Sequence, residues 1–504
     1  MKGIHAIKMI KRLGAFLIGT AILAGSTIVA HAEGTYTYCY DYWEDVQFSP
    51  DPYEVANVFT ANELGLDKPF NNPSGLTVYG KKIFLCDTGN NRIIEMERVN
   101  REELKVIRII DELKGKTEQK KFSNPNDFQV DEDGYYYVAD TGNGRVVKFD
   151  QDLNYISEFV KPDDNTLSAD LKFQPTKLCV DSAGRVYCIA VGINKGLIKY
   201  ENDGTFSGFV GATPVVFDFA DYIWKRLASQ AQREKMESFV PTEYDNVYMD
   251  HDGFIYVCSA NLEEAAVKSG DADVVRRLNL MGSDILIRNG EYGVIGDLYM
   301  GDGGGHVGPS QMTDVTAFDN DVYALLDKNR GRLFFYDSQG RMLFTFGSNG
   351  NMNGYFRLPS AMDHMGYDIF VLDAQDKSIT LFTTTKYGNM IFDAIDQFDA
   401  GEYARSGEIW NEILDLNSNY DLAYIGVGRS LLRQEKYKEA MEYFELKMDA
   451  DNYSKAYKQY RKIWVEEHIL IIFIVVFALL LIPLVVGKVK SIRHEIDNAD
   501  IFRF

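Results

Sequence analysis

A pattern of about fifty residues recurs six times along the middle of the chain, and it restricts the fold more than any other feature of the sequence. The fullest copy reads Phe122-Ser123-Asn124-Pro125-Asn126-Asp127-Phe128-Gln129-Val130-Asp131, then Asp133-Gly134, an apolar run over 135–139, and Asp140-Thr141-Gly142-Asn143-Gly144-Arg145. The copy before it runs from Phe70 through Pro73-Ser74-Gly75 to Asp87-Thr88-Gly89-Asn90-Asn91-Arg92. Later copies begin near Pro175, Pro241, Pro309 and Pro359, and the first three prolines are 52 and 50 residues apart. Each copy reads as short strands. One follows the proline, an Asp-x-x-Gly turn leads to a second, and an Asp-Thr-Gly-Asn loop leads to a third. About four short strands per repeat describe a propeller blade. A blade has two apolar faces, so the copies must stack radially. Tyr53–Thr60 is expected to lend an outer strand to the last blade, so that the ring closes without an open sheet edge.

These residues resemble NHL repeats over residues 53–385. The likeness is specific in copies one and two and fades later. Copy three has Ala190 to Lys195 where Asp-x-x-x-x-Arg is expected, and copy six has Ser378 in place of the Arg. The resemblance implies a mainly β fold, a six-bladed propeller over residues 33–388. The repeated Asp and Arg are expected to fasten blades rather than to hold a ligand. Two insertions interrupt the pattern. Residues 217–238 read as an amphipathic helix lying over one propeller face. Residues 301–308 are glycine-rich but lack the Lys-Ser/Thr of a phosphate loop, and read as a flexible connection.

The ends of the chain carry membrane signals. Lys2, Lys8, Lys11 and Arg12 precede an apolar run over 13–29 and Ala30-His31-Ala32, which reads as a signal peptide over 1–32. Residues 469–486 are uncharged and would span about 27 Å as a helix. The expectation is a single transmembrane helix at 466–487, with a basic cytoplasmic tail at 488–504 and the bulk of the protein extracytoplasmic. Between propeller and span, residues 389–465 resemble tetratricopeptide repeats. Tyr437-Lys438-Glu439-Ala440 and Tyr403-Ala404-Arg405-Ser406 stand 34 residues apart, the period of that family. Five cysteines, an odd and sparse set, imply no disulfide framework.

Chemistry is harder to find. With 74 acidic against 53 basic residues the net charge is −21, which offers no footprint for nucleic acid. His251, His306 and His364 are too scattered for a zinc site, and no Gly-x-Ser-x-Gly elbow occurs. No catalytic residue is assigned. The residues after the blade-opening prolines converge on the central channel, and there Asn126, Asp127, Lys177, Asp245, Asn246 and Asp314 form a candidate ligand site. The oxygens of Asp127, Asp245 and Asp314 could hold a Ca2+ ion, although no resident cofactor is otherwise expected. The architecture resembles surface proteins of Gram-positive bacteria with NHL propellers. That resemblance implies a membrane-anchored binding or scaffold protein with a membrane-protein partner, such as a transporter. The alternative, by likeness to calcium-dependent six-bladed lactonases, is a hydrolase of a sugar derivative.

Overall fold

The structure is a computed structural model, and it describes residues 36–115, 118–212, 244–301 and 306–499. The predicted signal peptide and the inserted segment 217–238 lie outside the described residues, as do residues 302–305 of the glycine-rich connection.

Six antiparallel sheets stand around a central axis. Blade one comprises Gly75–Tyr79, Lys82–Asp87, Arg92–Asn100 and Glu103–Ile110. Blade two comprises Pro125–Val130, Tyr136–Asp140, Arg145–Phe149 and Tyr155–Phe159. Blade three runs from Pro175–Val180 through Val186–Ala190 and Leu197–Tyr200 to Phe206–Val210. Blade four has Asn246–Met249, Ile255–Cys258 and Val275–Leu278. Blade five opens with Met312–Ala317, Tyr323–Asp327, Arg332–Tyr336 and Met342–Phe346. Blade six has Pro359–Met365, Asp368–Asp373 and Ser378–Thr384. The first strand of every blade packs against those of its two neighbours, which completes the ring.

The alternation of side chains explains why the second strands are apolar without interruption. Ile83, Phe84, Leu85 and Cys86 are all fully buried. Ile83 and Leu85 pack towards blade six, whereas Phe84 and Cys86 pack towards blade two. An apolar cluster fills the gap between each pair of adjacent blades in this way. All five cysteines are buried and free, which suits their place in these faces.

Closure follows the expectation. Tyr53–Thr60 pairs with Ser378–Thr384, from Tyr53 opposite Thr384 to Thr60 opposite Ser378. Two features depart from four strands per blade. Blade four has three strands among the described residues, after which the chain makes only an isolated bridge from Leu278 to Asp284. Blade five instead carries two extra strands from the N-terminal side, Tyr38–Tyr40 and Val46–Phe48. Tyr38 and Tyr40 anchor them, both reaching Asp297 in the irregular segment that precedes blade five.

The helices begin immediately after the last strand. They are α1 (Lys386–Asp399), α2 (Tyr403–Leu416), α3 (Asp421–Arg433), α4 (Tyr437–Leu446) and α5 (Ala450–Ala499), each packed on the next. Thr385 caps α1 by accepting from the Gly388 N–H, and its hydroxyl donates to the Asp51 carbonyl. Phe392 of α1 stacks on Tyr367 at 4.2 Å, and α1 joins the core shared by blades five and six. Small residues set the helix spacing. A Cβ on Gly426 would come within 2.6 Å of Trp410, and one on Gly428 within 2.6 Å of Phe444. α5 is one continuous helix of 50 residues. Ala456 is buried against Ala440 and Phe444, while the apolar stretch beyond is bare of protein contacts and long enough to cross a membrane.

Tyr53 joins the closing strand, two blades and the helices. It is 1% exposed, lies against Phe335, Phe344, Phe346 and Phe392, and donates to the Tyr367 carbonyl at 2.8 Å. Tyr53→Ala should destabilise the detergent-solubilised protein by about 4 kcal/mol in urea unfolding. Trp43→Ala, at a side chain 67% exposed, should change it by no more than about 0.5 kcal/mol. Equal effects would contradict this account of ring closure.

Candidate functional site

Each inner strand is irregular just after its opening residue in blades two, three, five and six. The irregularity brings Asp127, Lys177, Asp314 and Ala361 to equivalent positions, opposite Ala139, Ile189, Leu326 and Leu372 of their second strands. Gly75 opposite Cys86 and Asn246 opposite Cys258 complete this layer in blades one and four. Blade one needs glycine there, because a Cβ would lie 2.5 Å from the Asn126 carbonyl oxygen.

The polar groups of the channel bond mainly across blade boundaries. Asp127 of blade two accepts from the Leu178 N–H of blade three at 2.9 Å. Asp314 of blade five accepts from the Met362 N–H of blade six at 2.6 Å, and from the Asn246 amide of blade four. Asp363 of blade six accepts from the Val78 N–H of blade one at 2.6 Å. Thr77 of blade one donates to the Phe128 carbonyl of blade two at 2.5 Å. These bonds satisfy backbone groups that the inner strands present to one another and that no ladder partner covers.

Lys177 is the cation of this layer. Its ammonium lies 3.4 Å from the Ser74 carbonyl oxygen. Burial acts against its charge, but Asp127 and Asp314 outweigh burial and hold its pKa above the usual lysine value. Burial raises the Asp127 pKa, and Lys177 and two backbone N–H groups oppose the rise. For Asp314 burial prevails further, and the pKa is pushed up to about 7 despite Lys177.

The structure therefore divides the residues proposed from sequence. It brings Asp127, Lys177, Asn246 and Asp314 together. Asn126 points elsewhere, donating to the Thr141 hydroxyl at 2.7 Å, and Thr141 in turn donates to the Pro175 carbonyl of blade three. Asp245 accepts from the Ala260 N–H at 2.6 Å; burial raises its pKa, and that N–H and Lys328 oppose the rise. Sequence reasoning missed Asp363, which lies two residues beyond Ala361 and so on the same strand face. The signal was there, since it shares the alternation that fixes Asp314. No group of three or more His, Cys, Asp or Glu poised for a metal occurs among the described residues.

The repeated Asp and Arg act on the incoming linkers. Asp87 pairs with Arg92 at 2.7 Å, and they hold the Asn71 N–H and the Lys68 carbonyl. Asp140 and Arg145 pair at 3.0 Å and hold Ser123 and Gln119 in the same way. Copy five departs from the expected spacing. Asp327 lies 3.6 Å from Arg330, and Arg332 turns away to Asp297, because the extra N-terminal strands bring Tyr38 and Asp297 to that side.

Residues 122–149 match the family model of the NHL repeat. No significant relative was found among curated proteins. Among solved structures, virginiamycin B lyase from Staphylococcus aureus is 10% identical, with 62% of this chain and 94% of that chain covered at a TM-score of 0.35. A streptogramin B lyase is 11% identical, with 65% and 97% covered and a TM-score of 0.38. A candidate gluconolactonase is 12% identical, with 67% and 93% covered and a TM-score of 0.39. None of these likenesses carries an argument about chemistry. The protein is a six-bladed β-propeller bearing an NHL repeat. A helical segment and one candidate membrane-spanning helix follow the propeller.

The raised Asp314 pKa makes a signed prediction. Folded Asp314 keeps its proton to about pH 7, whereas an unfolded aspartate loses it near pH 4. Its contribution to stability is complete below the unfolded value and is lost as pH rises through 7. The stability of the wild type relative to Asp314→Asn should therefore fall between pH 4 and pH 7, as followed by chemical denaturation. A pH-independent difference would contradict the assignment.

Proposed function

We propose that this protein is a membrane-tethered binding module whose propeller recognises a ligand or partner outside the cytoplasm, as an accessory to a membrane transport complex. The observation that carries this reading is the continuity of α5. The helix begins within the helical pack and runs without interruption into the apolar segment. From Ala450 to Ile469 it rises roughly 28 Å. A stiff connection of this kind suits a module that must meet a membrane-embedded partner at a defined height. In this reading α2–α5 are tetratricopeptide-like, residues 1–32 are an export signal, and the basic residues after the span keep the tail in the cytoplasm.

The channel is read as structural. Calcium would need carboxylate oxygens free to converge on it. Asp127 and Asp314 instead face neighbouring backbone N–H groups, and Lys177 already supplies the positive charge. The lactonase alternative depends on such an ion, and so it ranks second.

Full-length protein, affinity-purified from native membranes in mild detergent, should carry a stoichiometric membrane protein. A version truncated before Glu466 should not. Calcium should not raise the thermal midpoint of the wild type. Tightly bound calcium that is lost in the Asp127→Ala, Asp245→Ala double variant, with no co-purifying protein, would reverse the ranking.

A further inference from the structure

A cleft of about 930 Å³ lies between blade five and the helices. Three guanidiniums line it. Arg341 comes from the turn before Met342–Phe346, and Arg429 and Arg433 lie one turn apart on α3. Glu291, Asp421, Glu435, Asp449 and Asp451 line the same cleft, so it is the pairing of the arginines rather than net charge that sets them apart.

Their partners are incomplete. None of the three side chains donates a hydrogen bond within the protein among the described residues. The nearest carboxylate oxygens stand off, Asp337 at 3.9 Å from Arg429 and Asp449 at 3.6 Å from Arg341. Asp449 is engaged elsewhere through both oxygens, Asp337 through Oδ1 alone. Asp337 accepts from the Gln339 and Arg341 backbone N–H groups, and Asp449 accepts from the Asn452 backbone and side chain. Asp399 is half-buried nearby, where burial pushes its pKa up to about 6 and Arg429 opposes the rise. By contrast Lys447, on the same cleft, closes on Asp421 at 2.6 Å. Arg429 lies over the Phe398 ring at 4.6 Å, which fixes the plane of its guanidinium. Its side chain is 28% exposed and that of Arg341 13%. Planar donors held in this way, with their carboxylates standing off beyond hydrogen-bonding distance, match an oxyanion.

We propose that this cleft binds a small molecule bearing a phosphate or carboxylate group, held by Arg341 and Arg429 with Arg433 at the mouth. The anion would relieve the mutual repulsion of the three cations. Tyr40 and Tyr292 offer flat walls for the rest of the molecule. The cleft extends along α5 only as far as Gln459, ten residues before Ile469 and roughly 15 Å from it along the helix. A lipid headgroup would have to rise that far from the bilayer, which favours a soluble ligand. The inference rests on the reading of the protein as a binding module. Direct titration separates the two, because it needs no co-purifying partner.

The test is calorimetric titration of the full-length protein in neutral detergent, at low ionic strength, with inorganic phosphate and separately with citrate. Binding of at least one probe is expected, weakened about tenfold or more in Arg429→Gln and Arg341→Gln. Arg357→Gln, in the linker before blade six, should leave it unchanged. Arg433→Gln, an exposed position, should weaken it even if a more buried variant folds poorly. No binding of either probe would overturn the proposal, as would equal binding by all variants. Arginine-dependent binding to phosphatidylglycerol vesicles, without binding of the soluble anions, would replace the ligand with a headgroup and equally overturn it.

Discussion

No blade of this propeller can shield both of its faces, and that constraint organises the rest of the molecule. Ile83 and Phe84 are adjacent in sequence and belong to different interfaces. Each blade is thus half of two cores, and removing its neighbour would expose a complete apolar face. Stacking satisfies the faces but leaves one seam, which only the strand Tyr53–Thr60 can close. The seam is also where the helices attach, since Tyr53, Phe392 and Trp410 share one apolar cluster. Closure and the seating of the helical pack are therefore one packing event.

Radial stacking dictates the chemistry of the channel as well. It forces six inner strands together along edges that have no ladder partner, and the exposed N–H groups there need acceptors. Aspartates at the strand irregularities provide them across two of the boundaries, from Asp127 to Leu178 and from Asp314 to Met362. Two such carboxylates in a narrow space repel one another. Lys177, at the equivalent position of blade three, offsets part of that repulsion, and the upward shift of Asp314 relieves more. Residues that a sequence presents as a ligand set are here the means by which the ring holds its own backbone.

The propeller was legible because its cause is local. Turn residues and strand alternation repeat in every blade, and the closing strand follows from counting them. The channel was legible only in part. The structure brings Asp127, Lys177 and Asp314 to equivalent positions around the channel. Asn126 is carried away from the others by the strand irregularity, which nothing in the sequence marks, and Asp245 stands just before its strand and bonds to Ala260. The extra strands Tyr38–Tyr40 and Val46–Phe48 were not foreseen. Their anchor is Asp297, more than 250 residues away, and local pattern contains no sign of it. The same distant contact diverts Arg332 from the pairing that its spacing from Asp327 suggests.

The arginines of the cleft belong to this second kind of information. Arg341 sits in an ordinary hairpin turn, and Arg429 and Arg433 sit on a helix whose Gly426 and Gly428 speak only of packing. Tyr420 draws the two parts together by donating to the Leu343 carbonyl of blade five at 2.9 Å, and that contact brings the three cations onto one cleft. Within either part alone their charges would be solvated surface charges of little energetic consequence. Assembly confines them to one cleft, where Asp449 and Asp337 approach Arg341 and Arg429 only to 3.6 and 3.9 Å. Function in this chain is thus best sought at the junction between propeller and helices, where Arg341 and Arg429 stand off from their carboxylates, rather than in the channel, where Asp127 and Asp314 are bonded to neighbouring strands.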